Sequence, residues 1–312
     1  MAKILVSGLI NVETTLRIDR FPIEYQPQQF PFFGIRTSVS GVGYNVATAL
    51  HALGNEVALL SLIGSDLNGL QVQSEIARIG LAGDNVLAQL EQTPQSVILY
   101  EPGARRECFT DLKDIQEQRY PEDRFQQLAV GASAFVGCNA NISRPLLFAA
   151  KAAGLLVATD IHTIANLDDD FNRDFMALAN ILFMSNERLP LSPEDWAQAV
   201  INRYNTPIVV IGLGHEGALL AVRDDRFVGR LPAVRTRAIV NTVGAGDALF
   251  SCFVHTYLRT HDPYRSLQTA IVFASWKIGG NGGADGLLSQ EELVQLAGQA
   301  ELSLPYARVS PN

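Results

Sequence analysis

Segment 242–247 reads Thr-Val-Gly-Ala-Gly-Asp. It combines a flexible, glycine-containing backbone with one carboxylate side chain, so these residues could take part in a reaction. Its glycines, Gly244 and Gly246, permit a tight turn that aims successive N–H groups at one point. The helix predicted from Ala248 adds the partial positive charge of its N-terminus, so the segment predicts an anion site. Because a carboxylate repels an anion, Asp247 makes sense there if a proton must be removed beside the anion. The alternative is a plain helix start with Asp247 as the N-cap.

A second candidate site lies where two glycines precede a predicted helix. The string Ser-Gly-Val-Gly-Tyr-Asn covers 40–45 and leads into helical spacing that ends at Gly54. Gly41 and Gly43 would let a ligand approach the backbone closely, and the Asn45 amide can both donate and accept hydrogen bonds. The segment therefore predicts a ligand-binding turn, with an ordinary glycine-rich turn before a helix as the alternative.

A third glycine pattern, Gly-Leu-Gly-His-Glu-Gly at 212–217, matches the GxGxxG spacing of dinucleotide-binding loops. A predicted strand precedes it, yet residues 218–222 read as another strand. Without a helix after the loop, the pyrophosphate of a dinucleotide would meet no positive helix end. The predicted strand at 218–222 therefore argues against an NAD-dependent oxidoreductase.

Composition and charge exclude several classes of partner. The 312 residues carry a formal charge of −8, so we expect neither a nucleic acid nor a membrane as partner, because both require concentrated Lys and Arg. No apolar run approaches the roughly 20 residues of a membrane span, and residues 2–8 predict a strand and a turn instead of a signal peptide. Cys108, Cys138 and Cys252 lack metal or redox spacing, which indicates thiols in a reducing, cytoplasmic compartment.

The elements that would position these segments alternate between strands and helices. Helical patterns alternate with buried strand patterns, which lie at 3–6, 57–62, 134–136, 155–158, 181–183 and 208–211. Further helices are predicted at 248–257, 266–278 and 290–297. This alternation predicts an α/β fold with three layers (αβα), in which helices cover both faces of a mostly parallel central sheet. We expect a single domain over 1–312.

Two stretches, about 11–38 and 95–112, do not fit this alternation of strands and helices. In both of them polar and apolar residues alternate with a period of two. The simplest arrangement is a small inserted β-sheet that leaves the main domain twice. It would cover the carboxyl edge of the large sheet, where open α/β sheets bind ligands, and would exclude water as a lid. Its exposed strand edges predict a homodimer formed through the lid.

The strings at 242–247 and 40–54 also carry a resemblance. The first, together with the Ala-Leu-Phe-Ser-Cys-Phe that follows it, closely resembles the C-terminal signature of the ribokinase-like (PfkB) carbohydrate kinases, Asp-Thr-x-Gly-Ala-Gly-Asp. The second is similar to the N-terminal signature of the same family, and weaker likeness extends from Gly8 to Gly286. The resemblance implies a ribokinase-like domain that transfers the γ-phosphoryl group of ATP to a hydroxyl of a small sugar.

The resemblance implies a role for individual residues. It makes Asp247 the base and assigns the anion hole to the backbone N–H groups of Gly244, Ala245 and Gly246. The residues implied to bind the acceptor are Glu13, Gly41, Gly43 and Asn45. Those implied to bind the nucleotide are Asn186, Gly212, Gly214, Gly217 and Thr242. Mg²⁺ would arrive with ATP, whose phosphates supply most of its oxygen ligands, and the family pattern also allows a monovalent cation.

Three positions depart from the family pattern. Asn241 replaces an Asp, Gly212 replaces a Thr, and Leu189 stands where the family has Glu. These changes leave the base in place, but they leave the metal ligands of the protein unknown. Asp160 and His162 follow a strand, yet they lack the third ligand that a metal site would need nearby in sequence.

The acceptor stays open among three classes. The N-terminal motifs look more like those of kinases that act on free sugars. A sugar phosphate would need an added cationic cluster, which Arg36, Arg105 and Arg106 could supply. A nucleoside would need an aromatic pocket, for which Phe32 and Phe33 are candidates. Outside the enzymes, the alternative is a non-catalytic relative that binds a sugar or a nucleotide.

Overall fold

Apolar runs of the sequence pair as strands, and amphipathic runs cover them as helices. The computed structural model describes residues 1–101, 105–299 and 307–308. In chain order the strands are β1 (Lys3–Ser7), β2 (Asn11–Arg17), β3 (Ile35–Ser40), β4 (Glu56–Gly64), β5 (Val86–Leu90), β6 (Gln95–Tyr100), β7 (Arg106–Asp111), β8 (Ala134–Cys138), β9 (Leu156–Asp160), β10 (Ile181–Ser185), β11 (Ile208–Gly212), β12 (Ala218–Val222), β13 (Phe227–Leu231) and β14 (Ala307–Arg308). The α-helices are α1 (Val42–Ala52), α2 (Leu67–Arg78), α3 (Glu122–Ala129), α4 (Arg144–Ala152), α5 (Arg173–Leu178), α6 (Pro193–Tyr204), α7 (Ala245–Thr260), α8 (Pro263–Lys277) and α9 (Gln290–Gln299). None of the helices described has the length and apolar character needed to span a lipid bilayer.

The large sheet has ten strands in the order β14-β13-β12-β11-β10-β9-β8-β1-β4-β5. In this order, each pair of neighbouring strands between β11 and the β5 edge is parallel. The three pairs between β11 and the β14 edge are antiparallel. Ile4 and Val6 of β1 join the core beneath α1 and α7, and Leu5 joins the core beneath α3 and α4. Because helices cover both faces, the central strands are apolar on both sides. The structure confirms the predicted three-layer α/β fold with a mostly parallel sheet.

A second sheet of four strands, in the order β3-β2-β6-β7, forms the predicted lid. Strand β2 is antiparallel to β3 and parallel to β6, and β6 is antiparallel to β7. Residues 18–34 join β2 to β3 without helix or strand. The strands therefore occupy only the ends of the first predicted stretch.

The two faces of the lid differ in character. Strand register places Glu13 opposite Ser96, so that one face, which we call the inner face, carries these two buried residues. The other face, which we call the outer face, carries the exposed residues Ile35, Val97 and Phe109. One polar surface is therefore turned inward, and one apolar surface is left to solvent.

Helix α7 begins at Ala245, earlier than the predicted start at Ala248. Gly244 is its N-cap with a φ of 74°, so Gly246 and Asp247 belong to its first turn. The sequence obscured this start because glycine is a poor helix former. Asp247 is therefore not the N-cap. Residues 237–240, which precede the motif, form no strand.

Candidate active site

Asp247 is buried at the third position of α7 and is held there by a residue of α1. The Asn45 Nδ2 donates a hydrogen bond of 2.7 Å to Asp247 Oδ2. The start of α1 can approach the turn after β1 because Gly43 has no side chain: a Cβ there would lie 2.6 Å from the carbonyl carbon of Gly8. The two sequence motifs, which are 202 residues apart at this contact, thus meet at one carboxylate.

The surroundings of Asp247 adjust its proton affinity. Burial is the main cause that raises the pKa of Asp247 above its usual value, and the negative charge of Asp160 acts in the same direction. The positive charges of His162 and Lys277 and the hydrogen bond from Asn45 lower that pKa without cancelling the rise. Asp160 Oδ1 also accepts from the His162 N–H over 2.9 Å. Asp160 and His162 thus act on the base, which is the role that their sequence position at a strand end left undecided.

Unpaired backbone N–H groups lie beside Asp247 at the start of α7. In the described part of the chain, the N–H groups of Gly244, Gly246 and Asp247 have no acceptor. The Ala245 N–H, by contrast, donates to the Thr242 carbonyl over 3.2 Å. Of the predicted anion-hole donors, Gly244 and Gly246 therefore have free N–H groups, as does Asp247, whereas the N–H of Ala245 is engaged in the turn. Free N–H groups at a helix N-terminus bind anions such as phosphate.

Loop 279–286 packs against the start of α7 and explains one departure from the family pattern. A Cβ at Gly244 would lie 2.3 Å from the Gly283 carbonyl oxygen, so this close approach requires glycine. The Asn241 Nδ2 donates to the Asn281 carbonyl over 2.8 Å. An ionised Asp at 241 could not donate that bond. Asn241 is therefore matched to the loop that supports the site.

Polar groups on the inner face of the lid and on α1 lie around Asp247. Burial is the main cause that raises the pKa of Glu13, and the negative charge of Asp247 adds to it. The Asn11 Nδ2 donates to Ser96 Oγ, while Asn11 Oδ1 is buried without a partner among the described residues. Asn45 Oδ1 is buried and unpaired in the same way. Two free amide oxygens and a carboxylate suit the hydroxyl donors of a sugar.

Gly41 and Gly43 lie in close contact with the turn that follows β1. Gly41 has a φ of 102°, and a Cβ there would lie 2.5 Å from the Leu9 carbonyl oxygen. The Gly43 N–H donates to the same oxygen over 3.0 Å. The lack of side chains at Gly41 and Gly43 thus lets α1 begin against the turn after β1, which helps to place Asn45. Their contact with a ligand stays a prediction.

Four of the predicted nucleotide residues lie at the carboxyl edge of the large sheet, at the ends of β10 and β11, whereas Thr242 lies just before α7. The Asn186 N–H donates to the Gly212 carbonyl over 3.1 Å. Gly214 and Gly217 take positive φ angles of 60° and 107° in the turn that leads to β12. Strand β12 runs antiparallel to β11, so no helix follows this turn and the dinucleotide interpretation is excluded. Open α/β sheets bind ligands at this edge.

Metal ligands are sparse at the same edge. Within 1–101 and 105–299, no group of three or more His, Cys, Asp or Glu side chains could hold a metal ion. Leu189, at the position where the family has Glu, packs against the core beneath α3–α6. These residues do not form a protein cage for Mg²⁺.

Lys277, the last residue of α8, was not predicted to belong to the site. Its side chain is completely buried, and Nζ has no hydrogen-bond partner among the described residues. Burial lowers the pKa of Lys277 to about 8, against the opposing effect of the negative charges of Asp247, Asp285 and Glu13. The only signal in the sequence was a lysine at the end of an otherwise small and apolar run, and nothing local indicated which way it faces.

Comparisons with known proteins identify the family of this chain. A family model described as pfkB family carbohydrate kinase matches residues 1–290. An ATP-dependent ribose-1-phosphate kinase from Halopiger xanaduensis is 26% identical over 273 residues, which cover 86% of this chain and 90% of that relative.

Solved structures give the same fold. A microbiome-derived acarbose kinase superposes with a TM-score of 0.85 at 24% identity, covering 95% of this chain and 99% of the other. Ribokinase from Giardia lamblia superposes with a TM-score of 0.81 at 16% identity, covering 96% and 99%. The fold is therefore ribokinase-like. Since the family model spans nearly the whole sequence, this chain belongs to the pfkB family of carbohydrate kinases.

Proposed function

We propose that this kinase moves the γ-phosphoryl group of ATP to a hydroxyl of a small sugar, with Asp247 as the base. The observation that carries the proposal is the buried Asp247 carboxylate, which Asn45 holds beside unpaired N–H groups. A proton acceptor and an anion site within one helical turn are what phosphoryl transfer to a hydroxyl requires. The name of the related ribose-1-phosphate kinase supports ATP as the donor and a sugar as the acceptor.

The chemistry is an in-line displacement. Asp247 accepts the proton of the acceptor hydroxyl while the oxygen of that hydroxyl attacks the γ-phosphorus. The bond to the bridging oxygen breaks, and ADP leaves with the electron pair. The N–H groups of Gly244, Gly246 and Asp247 stabilise the charge on the transferred group. Glu13 and Asn45 accept hydrogen bonds from other hydroxyls of the sugar and so hold the reacting oxygen beside the base.

The nucleotide would lie along the ends of β10 and β11. Asn186 and the turn with Gly212, Gly214 and Gly217 border this position, and Thr242 leads into the anion site. Mg²⁺ carried by ATP would neutralise charge on the β- and γ-phosphates. A requirement for a monovalent cation is tested by assaying the enzyme with potassium and with tetramethylammonium chloride.

The alternatives have less support. Phe32 and Phe33 are exposed, so they do not line an aromatic pocket for a nucleoside. A non-catalytic relative would have no use for a buried carboxylate beside an anion site, because such a carboxylate weakens plain anion binding.

We also propose that the enzyme is a homodimer assembled through the lid. The support is the outer face, where Ile35, Val97 and Phe109 are exposed, and the edge strand β7, whose residues are all exposed. We expect the enzyme in the cytoplasm, where ATP is supplied.

The test of the base is Asp247→Asn, with Asp195→Asn as the matched control. Asp195 also occupies the third position of a helix, α6, but it is exposed. We expect Asp247→Asn to lower kcat by roughly 10²- to 10⁴-fold, as the loss of a general base does, while calorimetry shows ATP binding nearly unchanged. Asp195→Asn should keep wild-type activity.

A residual kcat above about one percent of wild type in Asp247→Asn would show that Asp247 is not the base. Loss of ATP binding together with activity would point instead to a disrupted helix start. Thermal melting of both variants separates that outcome from a loss of catalysis.

A further inference from the structure

Lys277 carries a buried positive charge that nothing neutralises at hydrogen-bond distance. Its exposure is 0%, and its Nζ has no partner among the described residues. The ammonium interacts electrostatically with the carboxylates of Asp247, Asp285 and Glu13, which come from α7, loop 279–286 and the lid. An ammonium with three unpaired N–H donors is costly to bury, so its presence at the site points to a ligand that completes it.

Arg106 brings a second positive charge to the same space from the lid. It begins β7, and the strand register puts it on the inner face together with Glu13. Its charge lowers the pKa of both Glu13 and Lys277, which shows that the three groups share one electrostatic environment. Arg106 forms no ion pair with any residue of the described ranges. Its neighbour Arg105 is instead paired with Glu101 over 3.6 Å.

A neutral sugar does not account for these two cations. Its hydroxyl protons are served by Glu13 and by the free amide oxygens of Asn11 and Asn45. Hydroxyl oxygens of the sugar could also accept hydrogen bonds from Lys277 and Arg106, but a neutral molecule would leave both positive charges uncompensated. Glu13 interacts with both cations but forms an ion pair with neither. An anion between two like charges removes their repulsion and gains charge-assisted hydrogen bonds from both.

We propose that the acceptor itself carries an anionic group, a phosphate or a carboxylate, which binds between Arg106 and Lys277. The proposal rests on the proposed kinase function, because it places the anion on the molecule that Asp247 deprotonates. The γ-phosphoryl group of ATP could supply the same charge. However, free N–H groups at the start of α7 already serve that group, and Arg106 lies on the same face of the lid as Glu13, which is proposed to bind the acceptor.

The experiment compares neutral acceptors with their charged counterparts at saturating ATP. The acceptors are D-ribose with ribose 1-phosphate and ribose 5-phosphate, and D-glucose with D-gluconate and glucose 6-phosphate. An ADP-release assay is run on wild type, Lys277→Met, Arg106→Gln and Arg105→Gln. Arg105→Gln is the matched control, because it removes an adjacent charge that is paired elsewhere.

We expect the wild type to prefer a charged acceptor by at least about 100-fold in kcat/KM, as two charge-assisted contacts provide. Lys277→Met and Arg106→Gln should each raise the KM for that acceptor roughly 10- to 100-fold, a larger loss than on its neutral counterpart. The KM for ATP should not change. Lys277→Arg, which restores a positive charge, should recover part of the preference, and Arg105→Gln should behave as wild type.

Three results would overturn the proposal, each with a different meaning. Equal or better transfer to neutral sugars by the wild type would leave the kinase function standing and remove the anionic acceptor. A raised KM for ATP, or an equal loss on both acceptor classes, would assign the cations to the transferred phosphoryl group. An absence of transfer to every acceptor would sink the proposal together with the kinase function. Thermal melting confirms that each variant is folded.

Discussion

Asp247 is kept in surroundings that disfavour its charge. Burial raises the pKa of Asp247, while His162, Asn45 and Lys277 limit the rise. A carboxylate with a raised pKa is a stronger proton acceptor than an exposed one. The same burial must reduce the free energy of unfolding of the wild type, because the charged form is the one that folding desolvates.

The pH dependence of stability in Asp247→Asn follows from this cost. Since the folded-state pKa of Asp247 is raised, the wild type loses stability as pH rises from the unfolded pKa, about 3.9, through the folded pKa. Asparagine carries no charge and can still accept the bond from Asn45. We expect Asp247→Asn to melt at a higher temperature than the wild type at about pH 8, with the difference shrinking as pH falls toward about 4. Calorimetry across this range measures the effect.

Asp195→Asn provides the contrast. Asp195 is exposed at the N-terminus of α6, where its charge favours the helix by about 0.3–1 kcal/mol, so its removal should lower stability. If Asp247→Asn also lowered stability at about pH 8, the surrounding positive charges would outweigh burial, and the proposed cost of the base would be wrong.

At the scale of elements, the contact between α7 and loop 279–286 depends on the absence of a side chain at Gly244. Its φ of 74° is unfavourable for other residues, and a Cβ would lie 2.3 Å from the Gly283 carbonyl oxygen. Gly154 has a similar φ of 71°, but a Cβ there would meet nothing within 4 Å. Substitution of both glycines by alanine therefore distinguishes the cost of backbone strain, which the two positions share, from the cost of a clash with loop 279–286, which occurs only at Gly244.

We expect Gly154→Ala to cost about 1–2 kcal/mol of stability, the strain of a left-handed alanine, with activity retained. Gly244→Ala should lose more stability than this and should also lower kcat, because loop 279–286 must move away from the anion site. Denaturant unfolding and the ADP-release assay measure the two effects. Equal stability losses with equal activities would show that the loop does not support the site.

The sequence predicted what is local in the chain and missed what depends on distant contacts. The string at 242–247 carries its own turn, helix start and carboxylate, so Asp247 could be singled out as a candidate, and the family resemblance implied its role as the base. Lys277 could not, because its role depends on α8 ending beside α7 and beneath the lid. The glycines at 41 and 43 were recognised, but their close approach to residues 8–9 was not, since it depends on how α1 packs against the turn after β1.

The departures from the family pattern also depend on contacts between residues that are distant in the chain. Asn241 looked like a weakened site in the sequence, yet in the structure its amide donates to Asn281 of loop 279–286. A substitution in one motif was thus matched by a contact forty residues away. Leu189, by contrast, packs against the core beneath α3–α6, and its apolar side chain supplies no metal ligand.

For the whole molecule, the lid links the acceptor site to a surface that is available for assembly. Its inner face holds Glu13 and Arg106, whereas its outer face exposes Phe109, and β7 contributes to both. Because a four-stranded sheet with one apolar face has little core of its own, a second copy that covers the outer face would stabilise the lid and the cations that it carries.

The dimer is tested by Phe109→Asp, with Phe148→Asp as the matched control. Phe109 is 52% exposed on the lid, and Phe148 is 53% exposed on α4 at another surface. We expect the wild type to sediment as a dimer and Phe109→Asp to raise the dissociation constant roughly 30-fold or more, as removal of an aromatic hot spot does. Phe148→Asp should stay dimeric. Because the lid also carries Arg106, dissociation should raise the KM for the acceptor more than the KM for ATP. A monomeric wild type at micromolar concentration, or dissociation by Phe148→Asp alone, would rule out assembly through the lid.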